Sequence, residues 1–341
     1  MNPLSNRLTD LLGVELPIIQ EGMGPYRTNS IAAAVSNAGG LGTVSMPGMT
    51  QEPAAGARVL RKNIEWVAEH TDKPFAVNVP IGRASDGQVL PVSDAYIRAV
   101  IEARESDPAL ARQLVALTTS AGFPGEFRDM IAAAGLVHMH KVGSTVHARK
   151  AEDVGVDVVI ASGYEMGGHT HLQPVHTFVL VPNVTEAVSV PVVLSGGARD
   201  GRTLAAALAL GASGVALGTR FIATTDNVDW HPAYTERIIA AREGDDIVFP
   251  AVYGPARGLR NAGVTRLLEI LETKELQGEE LNTWKDEALI RAQSVGDVDN
   301  GLMAAGQVSS GIHEVVDISE FVPRMADEAI AVLRRLSAID A

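Results

Sequence analysis

A histidine and a glycine pair follow directly after one apolar run, and together they could do acid–base chemistry beside a bound ligand. Residues 156–161 are rich in β-branched side chains and too few for a helix, so they predict a buried parallel strand. Gly167 and Gly168 would let a ligand approach the backbone closely. His169 carries the side chain most easily used as a base near neutral pH. We therefore predict that His169 is a catalytic base.

Two glycine-rich loops late in the chain predict a phosphate site. Gly196 and Gly197 follow one apolar run, and Gly218 and Thr219 follow the next, with Arg220 directly after them. Bare backbone N–H groups and a threonine hydroxyl bind phosphate oxygens, and successive loops after the last strands of a (β/α)₈ barrel commonly do so. The alternative is that both are tight turns that pack helix on strand. Their occurrence together favours phosphate.

Polar residues end several apolar runs and should meet at one edge of a parallel sheet. Asn78, Lys141 and Ser162 are the three examples. An uncompensated ammonium in a protein core is costly, so Lys141 is predicted to contact an electron-rich cofactor ring. The alternative is a salt bridge from Lys141 to Glu165 or Asp157.

The histidines also raise the question of a metal site. His138 and His140 alternate on one predicted strand, His147 follows on the next helix, and His171 and His176 come after the glycine pair. Two histidines in H-x-H spacing with a third nearby are compatible with zinc. No set of carboxylates accompanies them at fixed spacing, so we predict no metal ligand.

Strands and helices alternate through the first two thirds of the chain. Eight strands in about 220 residues are typical of a closed (β/α)₈ TIM barrel. Polar and glycine residues follow nearly every strand, which favours the barrel over an open doubly wound sheet with its single switch point. The strands are predicted within residues 16–20, 41–46, 74–80, 113–119, 136–142, 156–161, 191–197 and 214–220.

The remainder of the chain is predicted to be helical and to cover the barrel mouth. We assign residues 1–226 to the barrel, 227–311 to an α-helical lid or appendage, and 312–341 to a C-terminal helix that returns to the barrel. Loop signals occupy residues 244–262. Helices are expected from Trp230 to about Arg242, over residues 264–292 and over residues 327–336.

Composition excludes several function classes. The 341 residues carry a net charge of −13, with 46% apolar and 20% charged residues, which argues against nucleic acid and anionic membrane as partners. The absence of cysteine excludes disulfides, thiolate metal sites and a cysteine nucleophile. No apolar segment resembles a signal peptide or a membrane span, so a cytoplasmic location is expected. No G-x-S-x-G elbow, P-loop or Rossmann fingerprint occurs.

Six segments together resemble the nitronate monooxygenase (2-nitropropane dioxygenase) family of FMN-dependent (β/α)₈ enzymes. Related flavin NADH:quinone reductases and FMN-type enoyl-ACP reductases share much of the pattern. The central block resembles a family motif that ends in G-x-E-A-G-G-H. The segments are LLGVELPIIQEGM, AAAVSNAGGLGTVS, PFAVNVP, HKVGSTVHARKAEDVGVDVVIASGYEMGGH, VVLSGGARDGRTLAAALALGASGVALGTRFIAT and GDVDNGLMAAGQVSSGI.

The resemblance implies a cofactor and assigns residues to it. FMN phosphate would lie on the two glycine loops, and His169 matches the family histidine that takes the substrate's α-proton or lies over the flavin. Ser162 and Gly163, which end the strand before His169, are predicted to contact the cofactor as well. The cofactor-binding set is Gly22, Met23, Asn78, Lys141, Ser162, Gly163, Gly196, Gly197, Gly218, Thr219 and Gln307, the last of which only the resemblance brings in.

Departures from the family pattern indicate the substrate side of the site. Met166 replaces a residue that is commonly small and would reshape the pocket beside His169. His171 lies where the usual motif ending is lost, and Tyr26 adds an aromatic side chain after a GMG segment. We predict that these three residues face the substrate.

The predicted function is that of an FMN-dependent oxidoreductase of nitronate monooxygenase type. It would oxidise a nitronate or a similar small acidic carbon substrate with O₂, with His169 as base. The main alternative is an NAD(P)H-dependent flavin reductase acting on a quinone or enoyl group. A non-catalytic flavin-binding protein and a metal-dependent lyase on the same barrel are further alternatives. The expected partners are a small-molecule substrate, O₂ or NAD(P)H, and a second copy in a homodimer.

Overall fold

Eight parallel strands form a barrel in the computed structural model, which describes residues 2–25, 27–84, 86–251 and 254–338. The strand order is β1-β9-β8-β6-β5-β4-β3-β2, and a parallel bridge between Ile19 and Leu41 brings the two ends of the sheet together. The predicted (β/α)₈ barrel is confirmed. The strands are β1 (Ile18–Gln20), β2 (Gly42–Ser45), β3 (Phe75–Ile81), β4 (Leu114–Ala121), β5 (Val137–Val142), β6 (Val158–Ser162), a short outer strand β7 (Gly168–His169), β8 (Val192–Ser195) and β9 (Gly214–Leu217).

Helices follow the barrel strands and begin at residues suited to start them. Asn6 and Thr9 form a capping box on the first helix, and Asp200 and Thr203 form another on the ninth. The first helix packs Leu8 against the innermost barrel residues and so closes the end of the barrel opposite the site. The helices are α1 (Arg7–Leu12), α2 (Asn29–Asn37), α3 (Pro53–His70), α4 (Pro91–Ser106), α5 (Pro108–Gln113), α6 (Gly125–Ala133), α7 (Thr145–Asp153), α8 (Thr177–Thr185), α9 (Gly201–Ala209) and α10 (Thr219–Ile222).

The segment after the barrel forms an appendage of mixed secondary structure. Most of its buried apolar side chains form a cluster that also contains Ile222 and Ala223 and touches Met23, whereas those of α14 pack into the barrel core. The elements are α11 (Pro232–Ile239), β10 (Asp246–Ala251), β11 (Gly254–Leu259), α12 (Ala262–Thr273), α13 (Gly278–Ile290), a π-helical turn (Arg291–Val295), a 3₁₀ turn (Gln307–Gly311) and α14 (Ile318–Ser337).

The prediction of a loop over residues 244–262 was wrong. β10 and β11 pair as antiparallel strands, and β11 also pairs with β7, with Ala256 opposite His169. Pro255 and Gly258 read as turn signals in the sequence. In the structure they lie on a strand that pairs with neighbouring β10 and with β7, which is distant in sequence, and this pairing overrides the local signal.

Two helices differ from their predicted form. α8 was not predicted, because its interior Pro182 reads as a helix breaker. α14 begins at Ile318 rather than at residue 327, since Asp317 caps it and it accommodates Pro323 within its length. In the described ranges, no helix combines the length and apolar character needed to cross a membrane.

Candidate active site

The carboxyl ends of the barrel strands and the underside of the appendage enclose a cavity of about 1370 Å³. This end of a (β/α)₈ barrel is where such enzymes place their active sites. The lining combines predicted site residues with appendage residues that were not predicted. They are Gly22, Met23, Asn78, Lys141, Met166, His169, His171, Gly196, Gly197, Gly218 and Thr219 from the barrel, and Phe249, Ala251, Lys285, Asp286, Leu289 and Ala304 from the appendage.

His169 lies between the barrel and the appendage. Its backbone belongs to β7, which β11 holds through the pairing of Ala256 with His169. More than a third of the residue is accessible, but the surface it exposes faces the cavity. Desolvation, with a smaller contribution from the positive charge of Lys285, lowers the pKa of His169 to about 4. The imidazole is therefore neutral at pH 7 and able to accept a proton.

Lys285 is a buried cation of the cavity wall. The residue is 4% exposed, and its Nζ donates to the Ala251 carbonyl at 3.0 Å. Desolvation lowers the pKa of its ammonium. The next residue, Asp286, accepts a hydrogen bond from Thr50 at 2.8 Å, and burial raises the pKa of its carboxyl group.

Lys141 forms an ion pair that crosses the barrel mouth. Its Nζ lies 2.6 Å from Oε2 of Glu21, which follows β1 on the far side of the barrel. The hydroxyl of Ser195 donates to the other carboxylate oxygen of Glu21. The alternative partners considered from the sequence were Glu165 and Asp157, and the structure gives Glu21 instead.

The two glycine loops lie side by side at the ends of β8 and β9. Gly196 and Gly197 have φ of +96° and +83°, and a Cβ on Gly197 would meet no atom within 4 Å. Their backbone N–H groups donate no hydrogen bond to another described residue. Thr219 Oγ1 accepts from the N–H of Gly306 at 3.0 Å. The loops thus present free donors to the cavity.

Arg220 takes no part in this arrangement. Its guanidinium donates to the carbonyls of Ala223 and Glu314 and lies over the ring of Phe321, 5.4 Å from its centroid. Desolvation lowers the pKa of Arg220 to about 10. Through these contacts Arg220 holds α14 against the barrel.

Asn78 and Gly22 pack against one another beside the ion pair. A Cβ on Gly22 would lie 2.3 Å from Cβ of Asn78, so only glycine fits there. The Asn78 amide donates to the Thr118 carbonyl at 3.4 Å, and the Met23 N–H donates to Ser45 Oγ at 2.8 Å.

Three predicted cofactor residues lie behind the cavity wall. Ser162 is fully buried, and its hydroxyl has no hydrogen-bond partner in the described part of the chain. A Cβ on Gly163 would overlap the hydroxyl of Thr177. The side chain of Gln307 donates to Asp246 at 3.4 Å. None of the three is among the residues that line the cavity.

Glu165 holds the loop that carries His169. Its carboxylate accepts from the backbone N–H and the hydroxyl of Thr177, the latter at 2.7 Å, and so covers the start of α8. Its carbonyl accepts from the Gln307 N–H at 3.0 Å. Arg257 donates to the Tyr164 carbonyl at 2.9 Å and pairs with Asp246. The loop is thereby fixed to both the barrel and the appendage.

The predicted substrate residues separate into two groups. Met166 and His171 line the cavity, whereas Tyr26 lies outside the described residues. Desolvation and the charge of Lys141 lower the pKa of His171 to about 4. Its Nε2 is buried and has no hydrogen-bond partner among the described residues. Gly143 makes room for this ring, since a Cβ there would lie 2.1 Å from His171 Cδ2.

The H-x-H pair of β5 binds a threonine. Thr119 Oγ1 lies 2.8 Å from His138 Nε2 and 2.8 Å from His140 Nδ1. Burial is the main cause that lowers the pKa of His138 to about 3 and that of His140 to about 4. Among the residues the structure describes, no group of three or more histidine, aspartate or glutamate side chains could hold a metal ion.

Two charged residues of the site were missed by the sequence analysis. Glu21 directly follows the apolar run of β1, just as Asn78 follows the apolar residues that begin β3, so the same rule could have found it. Lys285 lies on α13, a charged helix with nothing in its local sequence that separates Lys285 from a surface lysine. Its position depends on how the appendage folds over the barrel.

A sequence model of the nitronate monooxygenase family matches residues 5–328. The chain belongs to the nitronate monooxygenase family. The family assignment made from the sequence is confirmed, and the chain is a flavin-dependent oxidoreductase.

Curated relatives include enzymes named for two different activities. "(3aS,4S,5R,7aS)-5-hydroxy-7a-methyl-1-oxo-octahydro-1H-indene-4-carboxyl-CoA dehydrogenase" of Mycobacterium tuberculosis is 32% identical, over 98% of this chain and 99% of the relative. A "Probable nitronate monooxygenase" of Staphylococcus saprophyticus is 32% identical, over 78% of this chain and 81% of the relative.

Solved structures cover nearly the entire chain. FabK from Thermotoga maritima superposes with a TM-score of 0.85 at 34% identity, covering 98% of this chain and 99% of that protein. Nitroalkane oxidase from Streptomyces ansochromogenes gives a TM-score of 0.80 at 25% identity, covering 97% of this chain and all of that protein.

The cavity fits a flavin mononucleotide in three respects. The free N–H groups of Gly196 and Gly197 suit a phosphate, since bare backbone donors bind such anions without a cation. The ion pair of Lys141 with Glu21 supplies polar groups at the barrel mouth. The volume exceeds the range of about 300–1000 Å³ that is usual for one ligand, which leaves room for a cofactor and a substrate together.

Proposed function

We propose that this chain is an FMN-dependent oxidoreductase that oxidises a nitronate, or a similar small acidic carbon substrate, with O₂ as the electron acceptor. The observation that carries the proposal is the neutral imidazole of His169 in the same cavity as two glycine loops with free N–H groups. A base, a phosphate site and a large enclosed volume are what such a reaction requires.

The residues that would hold FMN are those at the barrel mouth. Gly196, Gly197, Gly218 and Thr219 would bind the phosphate through backbone N–H groups and the threonine hydroxyl. Gly22, Met23, Asn78 and Lys141 would contact the ring, and Ser162, Gly163 and Gln307 would support these groups from behind the wall. When bound, the flavin supplies the redox chemistry, as electron acceptor for the substrate and donor to O₂.

With a substrate that still carries an acidic C–H bond, such as a nitroalkane or a thioester, His169 would accept the proton that the carbon releases, whereas a nitronate has already lost that proton. Its lowered pKa keeps the imidazole in the neutral form over the physiological range, which is the form that can take up a proton. The appendage closes the cavity above it and limits water, which strengthens electrostatic interactions inside. The pairing of β7 with β11 fixes the imidazole relative to the barrel.

A second candidate is the oxidation of an acyl-CoA thioester. The carbon next to a thioester carbonyl is also a carbon acid, so the same base would serve. Two observations favour it: a curated carboxyl-CoA dehydrogenase aligns over almost the entire chain, and the cavity is large. An NAD(P)H-dependent reductase stays a prediction, as do a cytoplasmic location and a homodimer.

The decisive experiment follows flavin absorbance of the purified holoenzyme in the absence of oxygen. A simple alkyl nitronate, a saturated acyl-CoA, NADH and NADPH are added in separate samples. Bleaching by the nitronate, reversed by O₂, is the expected result. Bleaching by acyl-CoA alone selects the second candidate, and bleaching by a nicotinamide alone selects the reductase. A protein that takes up no FMN overturns all three.

A further inference from the structure

The cavity contains two lysines whose charges are compensated differently. Lys141 lies 2.6 Å from the carboxylate of Glu21. Lys285 donates to one backbone carbonyl, and no carboxylate of the described residues lies within ion-pair distance of it. Its neighbour Asp286 is bound to Thr50 instead. Among the described residues, this buried positive charge of the cavity wall has no negative partner.

Such a charge calls for an anionic ligand. Burying an ammonium without a counter-charge is unfavourable, and the 4% exposure of Lys285 leaves little water to compensate it. An ammonium has three donors, and the Ala251 carbonyl accepts from one of them. No other described residue accepts from the ammonium, so its other two donors can serve a group inside the cavity that Lys285 lines.

We propose that Lys285 determines substrate specificity by binding the anionic oxygen atoms of the group that activates the oxidised carbon. This inference rests on the proposed function, because it assigns the activating group of the same substrate. A nitro group, a nitronate or a carbonyl next to the reacting carbon has the required oxygen atoms. An uncharged hydrocarbon next to that carbon has none.

The proposal also accounts for the position of Lys285 near His169. When the C–H bond of a nitroalkane or a thioester breaks, the proton goes to the imidazole nitrogen and the electron pair is delocalised onto the oxygen atoms of the activating group; a nitronate carries this negative charge from the start. Lys285 stabilises that negative charge by a charge-assisted hydrogen bond. The same ammonium disfavours a positive charge on His169 and so keeps the base ready.

The test uses nitrate, a planar anion with oxygen atoms arranged like those of a nitronate. Sodium nitrate is titrated into the FMN-loaded enzyme at constant ionic strength, and binding is followed by flavin absorbance and by calorimetry. Lys285→Gln should weaken nitrate binding about ten- to a hundredfold, as for loss of one hydrogen bond to a charged group. Lys285→Arg should retain most of it, since the charge and donors remain.

The matched control is Lys274→Gln, which removes an exposed lysine of the same appendage. It should leave nitrate affinity unchanged. Equal affinity in wild type and Lys285→Gln, or equal weakening in both glutamine variants, overturns the proposal, as does a wild-type enzyme that binds no nitrate. If Lys285→Gln does not fold, Lys285→Met takes its place as the uncharged variant. It is then compared with Lys285→Arg, which keeps the charge at a similar side-chain length.

Substrate kinetics separate this inference from the proposed function. If the enzyme oxidises nitronates, Lys285→Gln should raise KM for an anionic nitronate more than for the corresponding neutral nitroalkane. Equal changes for both would overturn a charge-specific role. If no nitronate bleaches the flavin, the proposed function fails, while the nitrate titration still decides whether Lys285 binds anions.

Discussion

At the scale of single residues, His169 should matter for turnover and little for cofactor binding. His169→Gln is expected to retain FMN and to lower kcat about 10²–10⁴-fold, the usual effect of losing a general base. Stopped-flow flavin reduction measures this directly, with the substrate that bleaches the flavin in the anaerobic experiment. His313→Gln removes an exposed histidine and serves as the control. An unchanged rate in His169→Gln would exclude a base role.

The pH dependence of the reaction should report the same residue. Because desolvation and Lys285 lower the pKa of His169 to about 4, the base is unprotonated above that pH and protonated below it. We expect kcat/KM to fall on the acid side near about pH 4 rather than near the ordinary histidine value of about 6.5. A decrease of kcat/KM near pH 6.5 that is absent in His169→Gln would contradict the lowered pKa.

Thr119 should contribute to stability through a single hydroxyl group. Thr119→Val keeps the shape of the side chain but leaves His138 Nε2 and His140 Nδ1 without their shared partner. We expect the free energy of unfolding to fall by about 1–3 kcal/mol, the cost of leaving a buried polar group unsatisfied. Urea denaturation measures it, with Thr119→Ser as the control that keeps the hydroxyl. Equal stability of both variants would show that the hydroxyl contributes nothing.

At the scale of elements, the loop after β8 should determine FMN retention. Gly197→Ala puts a methyl group into the cavity where phosphate would bind, at a φ of +83°. Gly244→Ala is a matched control, because Gly244 has a φ of +87°, a Cβ there would also meet no atom within 4 Å, and the residue is exposed away from the cavity. Backbone strain is therefore similar in the two variants. Loss of FMN in Gly197→Ala alone is the expected result, and equal retention would contradict the phosphate assignment.

At the scale of the whole molecule, acid should destabilise the folded state before carboxylates are protonated. His138 and His140 have pKa values of about 3 and about 4 when folded, against about 6.5 in the unfolded chain. Between these values the unfolded chain binds protons that the folded chain does not, so the free energy of unfolding falls as pH falls below about 6.5. Urea midpoints from about pH 7 to about pH 5 measure the slope. A flat profile in this interval would contradict the prediction.

Local sequence patterns predicted the barrel well, because each short apolar run is itself a strand and several of the polar residues that end these runs line the mouth, although Ser162 lies behind its wall. Asn78 and Lys141 could therefore be assigned to the cavity from sequence. The ion pair of Lys141 with Glu21 could not, since β1 and β5 lie on opposite sides of the barrel and their approach depends on barrel closure. Lys285 was not predicted for the same reason, because its place in the cavity depends on how the appendage folds over the barrel.

The antiparallel hairpin of β10 and β11 in the appendage shows where turn-forming residues lead to a wrong prediction of secondary structure. Pro255 and Gly258 weaken a strand in isolation, and only pairing with β10 and β7 explains their conformation. The loop predicted over residues 244–262 was therefore the one part of the appendage whose type of structure was wrong. Its actual form determines how His169 is held.

The pairing of β7 with β11 also has a consequence for protein synthesis. The ribosome makes all eight barrel strands before it makes β11, because β9 ends at Leu217 and β11 begins at Gly254. A nascent chain of that length has both glycine loops but lacks the strand that lies beside His169. In such a chain His169 is present but its backbone lacks the pairing with Ala256. We therefore expect the candidate base to reach its final position only after the appendage has been translated and has folded onto the barrel.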